Sequence, residues 1–202
     1  MAHLVGILSL RIDQFLILLL LDDISMGVYF FIVSLVEKLL LFTTAVQPVL
    51  AVKMAYNEIS VERSNVFSGV IILLTSVVSL IAFPIFVSLS SGHIPVLVLL
   101  MLAIIVSSGS RVLALSLSLE DKISINTKIS IGMLFLNVLL NFVFIPMLGI
   151  TGAAVATFIS YSLNFILKFR ANQVASISIH DYFMNVMLES KDIFKYVKKI
   201  SI

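Results

Sequence analysis

The residues whose types and spacing could do chemistry are polar side chains set inside long apolar runs. Arg11, Asp13 and Gln14 interrupt a run over 4–21, Glu37 and Lys38 sit near the centre of one over 25–46, Arg111 lies in one over 94–117, and Asn137 and Asn141 lie four apart in one over 129–146. An ionisable group at the middle of a bilayer costs about 2.5–3.5 kcal/mol on insertion scales, so such a group faces protein or a hydrated cavity. At 100° per residue Ser34, Glu37, Lys38 and Thr44 share one helix face, Arg11 and Gln14 share another, and Asn137 and Asn141 a third. Arg11, Gln14, Glu37, Lys38, Arg111, Asn137 and Asn141 are therefore the candidate cavity residues. Each also has a purely structural use. Glu37 and Lys38 can neutralise each other between helices, Arg11 and Arg111 can extend to the headgroups, and the two asparagines can bind a neighbouring helix.

The composition removes most other chemistries. Of 202 residues, 60% are hydrophobic and 12% charged, and the mean hydropathy is +1.18, which is not the balance of a soluble enzyme. With no cysteine there is no disulfide, thiolate nucleophile or cysteine-based metal site, and His3, His93 and His180 are too scattered for a metal cluster. Neither a phosphate loop with its lysine, a Ser/His/Asp set nor a His-Glu-x-x-His motif is present, so no catalytic residue, cofactor or metal is expected. A net charge of +2 is too small to imply nucleic acid.

The elements that position these residues read as helices. Apolar runs long enough to cross a bilayer fall at 4–21, 25–46, 66–89, 94–117, 129–146 and 150–169, none alternating with period two. The expectation is an all-α integral membrane protein with six transmembrane helices. Asp22-Asp23 separates the first two runs, Gln47-Pro48 is expected to end the second, and Pro95 suits a first helical turn. Pro84 is expected to kink or shorten the third helix, and Pro146 to Gly149 to turn the chain between the last two. Gly152, Ala156 and Ser160 form a small-xxx-small series that calls for close helix packing. A cleavable signal is not expected, because polar residues interrupt the first run.

Charge sorts by loop. Lys53, Arg63, Lys122, Lys128, Lys168 and Arg170 flank alternate turns, whereas the turns at Asp22-Asp23, Ser90 to His93 and Pro146 to Gly149 carry no Lys or Arg. By the positive-inside rule both termini of this multi-pass protein are expected in the cytoplasm. The chain divides into a membrane lobe over 1–170 and a tail over 171–202. From Lys168 on, six basic residues oppose three acidic ones, with Phe183, Met187, Phe194 and Val197 at roughly helical spacing. That pattern suits an amphipathic segment on an anionic membrane surface.

Two stretches resemble the polysaccharide flippases of the multidrug/oligosaccharidyl-lipid/polysaccharide (MOP) exporter superfamily. Arg11-Ile12-Asp13-Gln14, Asp22 to Val28-Tyr29, Val36-Glu37-Lys38 and Gln47-Pro48-Val49-Leu50 are similar to that family's seventh and eighth helices, with Met26 where Val is usual. Leu136-Asn137-Val138-Leu139-Leu140-Asn141 through Ile145-Pro146, then Gly149-Ile150-Thr151-Gly152-Ala153-Ala154-Val155-Ala156-Thr157, is the more specific match, to a signature near the final helices. The resemblance implies the C-terminal lobe of a MOP-type transporter. A family member moves an isoprenoid-diphosphate-linked oligosaccharide across the cytoplasmic (inner) membrane by alternating access between two lobes, so one lobe implies an N-terminal lobe or a second six-helix chain as partner.

On this reading Arg11, Lys38 and Arg111 are candidate cations for the diphosphate, Asn137 and Asn141 for sugar hydroxyls, and Asp13 or Glu37 for a coupling proton or sodium ion. A MATE-like small-molecule exporter half predicts an acidic cavity instead, against which Arg11, Lys38 and Arg111 weigh. A truncated, non-transporting membrane scaffold is the further alternative. A glycan polymerase is disfavoured because a large external loop with acid and base residues is missing.

Overall fold

A run of Leu, Ile and Val in lipid can satisfy its backbone only within itself, and it does so here as helix. The computed structural model describes residues 2–56, 61–90 and 92–172, with side chains at 11–41, 43–54, 56, 66–90 and 92–172. Seven helices occupy them: α1 (Ala2–Leu20), α2 (Asp23–Glu37), α3 (Leu40–Ala55), α4 (Val61–Leu89), α5 (Ile94–Leu119), α6 (Ile123–Leu148) and α7 (Ile150–Ala171). The expected tail lies almost wholly outside the described residues.

The expectation of six transmembrane helices is corrected. Among the described residues four helices, α4 to α7, are long and apolar enough to cross a membrane, and the run over 25–46 is two helices rather than one span. At 1.5 Å per residue, the 15 residues of α2 and the 16 of α3 each fall short of a hydrocarbon core of about 30 Å. The break falls at the adjacent charges Glu37 and Lys38. The N–H of Lys38 bonds to the carbonyl of Leu35 at 3.2 Å and that of Leu39 to Val36 at 3.0 Å. These i→i−3 bonds tighten the last turn of α2 before α3 restarts.

Two of the prolines, Pro48 and Pro146, act differently from expectation. Pro48 does not end a helix, since α3 continues to Ala55. The carbonyl left without its donor belongs to Thr44, an exposed residue that lines the cleft described below. Pro146, expected in the turn, likewise lies inside α6, whereas Pro84 lies inside α4 as expected, five residues before its end at Leu89. The chain turns at Gly149 alone, with φ +60 and ψ −141, a conformation essentially reserved for glycine. Asp22 caps α2, its carboxylate accepting from the Ser25 N–H at 2.7 Å and the Ser25 hydroxyl at 2.9 Å.

The middle of the bundle is α5, the most enclosed of the four long helices, which packs against α7, α4, α2, α3 and α6. Ile17, Tyr29, Ile32, Val36, Leu97, Ile145, Ala153 and Ala154 are buried in one core joining α1, α2, α5, α6 and α7. Small residues set the closest approaches. A Cβ on Gly152 would run into the Phe144 carbonyl of α6, and one on Gly109 would meet Ile72 of α4 and Phe165 of α7. Outward, Leu80, Ile81, Phe135, Leu139 and Met147 are each more than 60% exposed. Apolar belts of this kind on α4 and α6 belong against acyl chains, and the molecule is a multi-pass membrane protein.

Candidate functional site: a cationic cleft beside a buried acidic pocket

Turns of four helices bring polar side chains to one place. Along α5, Ser107, Ser110, Arg111, Ala114 and Ser118 recur at the spacing of a single face. They meet Asn126, Ser130 and Asn137 of α6, Tyr161, Asn164 and Lys168 of α7, and Thr44 and Gln47 of α3 around a cleft of about 620 Å³. That volume is within the usual range for ligand sites. The cleft runs along the C-terminal halves of α5 and α7 and the N-terminal half of α6. Lys122, Lys128 and Arg170 belong to the same end of the bundle.

The chemistry of the lining is one-sided. Among the described residues two cations, the half-buried Arg111 and the buried Lys168, border the cleft, and no carboxylate does. Gln47 donates from Nε2 to the Arg111 carbonyl at 3.2 Å, tying α3 to α5. Asn126 donates from Nδ2 to the Ala114 carbonyl at 3.5 Å. Asn126 Oδ1, Asn137 Nδ2, Ser160 Oγ and Asn164 Oδ1, all on lining residues, are buried without a hydrogen-bond partner. Buried polar atoms are rarely left unsatisfied, so they mark places for water or a ligand that both donates and accepts.

A second cluster lies behind the cleft. The carboxylate of Asp13, 4% exposed, accepts from the Tyr29 hydroxyl at 2.7 Å, from the Gln14 N–H at 2.9 Å and, more weakly, from the Thr157 hydroxyl at 3.5 Å. Asp13 and Glu37 share a pocket of about 20 Å³ with Thr157 and Tyr161 among apolar neighbours. Arg11 stands at its margin, 3.8 Å from Glu37, donating to Gln14 Oε1 at 3.3 Å and 5.5 Å above the Phe30 ring.

The residues singled out in the sequence therefore separate. Arg111 and Asn137 reach the cleft. Asn141 is buried behind it, donating to Asn137 Oδ1 at 3.0 Å. Arg11, Asp13, Gln14 and Glu37 form the acidic cluster, and Lys38 is exposed at the α2–α3 break, in neither group. Lys168, Asn126 and Asn164 were not singled out. Lys168 reads as a basic flank in sequence, yet Tyr161, Asn164 and Lys168 recur at i, i+3 and i+7, the spacing of one helix face. Among the described residues no group of three His, Cys, Asp or Glu could hold a metal. Comparison with protein-family models, curated proteins and solved structures gives no match to this chain.

Proposed function

We propose that this chain is a lobe of a flippase for lipid-linked oligosaccharide, the activity implied by the resemblance of its Arg11–Gln14 and Asn137–Thr157 stretches to the polysaccharide flippases. The observation that carries the reading is the cleft, lined among the described residues by two cations and unpaired amides and by no carboxylate. A prenyl diphosphate-sugar fits that lining: Arg111 and Lys168 meet the diphosphate, Asn126, Asn137 and Asn164 exchange hydrogen bonds with sugar hydroxyls, and the lipid tail stays in the acyl chains. Asp13, with Glu37 nearby, is the carboxylate for a coupling proton or sodium ion. Export requires a partner lobe to close the cleft, and the basic end of the bundle faces the cytoplasm of the bacterial inner membrane by the positive-inside rule.

Binding of farnesyl diphosphate to the purified chain in nanodiscs tests this. A hydrogen bond to a charged group is worth about 1.5–3 kcal/mol, so Arg111→Ala and Lys168→Ala are each expected to weaken binding about tenfold or more. Unchanged affinity in both variants refutes the cleft as an anion site. Preference for tetraphenylphosphonium over farnesyl diphosphate would favour the small-cation exporter, and binding of neither the scaffold.

A further inference from the structure

Tyr161 belongs to both sites. Among the described residues it is the one side chain that lines the cleft and also the small acidic pocket. Its phenol lies within electrostatic reach of Asp13 and Glu37, on the pocket side, and of Arg111, on the cleft side. Asp13 comes from α1, Glu37 from α2 and Arg111 from α5, while among the described residues α3, α4 and α6 bring no charged group within that reach. No protein group accepts its hydroxyl proton among the described residues, and a phenol has one proton to give. The pocket between it and Asp13, about 20 Å³, has room for about one water.

We infer that Tyr161 is the positioning residue that links the two sites: its O–H is directed through the pocket water to Asp13 and Glu37 while these are charged, and turns to an anion in the cleft once a proton or monovalent cation neutralises them. The inference rests on the reading of the cleft as an anion site. Two effects then act with the same sign. Neutralising the carboxylates removes negative potential next to Arg111, and it releases a donor to the ligand. A cation in the pocket and an anion in the cleft therefore bind cooperatively, and each strengthens the other by the same factor. The two orientations of one hydroxyl supply the two-state element that such coupling needs.

A double-mutant cycle on farnesyl diphosphate binding at fixed pH separates the two levels of the argument. Asp13→Asn imitates the neutralised pocket and keeps an acceptor for Tyr29. It is expected to tighten binding about fivefold, the lower end of typical coupling. Tyr161→Phe alone should change binding less than twofold while the carboxylates are charged, because the hydroxyl then points to the pocket, and in the Asp13→Asn background it should weaken binding about fivefold, as loss of one hydrogen bond does. In the Tyr161→Phe background, Asp13→Asn should change affinity less than twofold. Equal factors for Asp13→Asn in the two backgrounds, or no effect of Asp13→Asn at all, overturn the inference while leaving an Arg111- and Lys168-dependent cleft intact. If the unmodified chain binds no diphosphate, or binds it independently of Arg111 and Lys168, the reading of the cleft fails first and takes the inference with it. Should Asp13→Asn not fold by circular dichroism and gel filtration, the half-buried Glu37→Gln is put through the same cycle, with the same expected signs and the same refuting result.

Discussion

Replacing Gly152 by alanine places a methyl group against a main-chain atom that has nowhere to go. The clash is with the carbonyl of Phe144, in the last two turns of α6, and the peptide nitrogen of Ile145 is 3.0 Å from the same Cβ position. At Gly109 the added Cβ would lie 2.5 Å from the tip of Ile72 and 3.1 Å from the Phe165 ring, both ends of side chains that can rotate. Alanine gains about 1 kcal/mol over glycine within a helix. Overpacking costs about 1–3 kcal/mol, occasionally more. At Gly109 the two terms nearly cancel, leaving a change within about 1 kcal/mol of zero. At Gly152, in the first turn of α7, the clash meets backbone and α6 and α7 must separate, a net loss of about 3 kcal/mol. For a chain of this length 1 kcal/mol moves Tm by about 2–4 °C. Gly152→Ala should therefore melt roughly 6–12 °C below the parent and Gly109→Ala within about 4 °C of it. With no Trp and no Cys, neither tryptophan emission nor thiol dyes can report the melt, so the helical circular dichroism signal in detergent is followed. Equal melting of the two variants, or the reverse order, refutes the packing argument.

Two further outcomes follow from single hydrogen bonds. Tyr29→Phe removes a 2.7 Å donor from the buried Asp13 carboxylate, a loss of about 1.5–3 kcal/mol, read as a fall in Tm that is smaller when Asp13 is already Asn. At the α1–α2 turn, the bonds from Ser25 hold the Asp22 carboxyl below its ordinary 3.8. A depressed value in the folded state means that the cap's ionic contribution is complete above the ordinary 3.8 of the unfolded chain and is lost as pH falls from there through the lower folded-state value. Asp22→Asn should thus melt below the parent at neutral pH, with the gap closing only in acid; a gap independent of pH refutes the cap's ionic character.

The ends of the long helices were legible because the signals are local. The run over 94–117 became Ile94–Leu119 and that over 150–169 became Ile150–Ala171, each bounded by a turn residue or a charge. The α2–α3 break was not, because hydropathy continues across it and neither Gly nor Pro marks it. Its only trace is the Glu37-Lys38 pair, which reads equally well as a polar helix face. Arg111 and Asn137 could be singled out by polarity at depth. Lys168 could not, since a lysine near a helix end is ordinarily a headgroup anchor. Only the neighbours supplied by α5 and α6 turn it inward.

The bond between α3 and α5 has a mechanical side. Gln47 grips the peptide oxygen of Arg111, not its guanidinium, so the outer wall is latched to the very residue whose arm stays at liberty. Because the latch takes hold of the main chain alone, a substitution at position 47 would loosen the wall from α5 and leave the reach of the guanidinium unchanged.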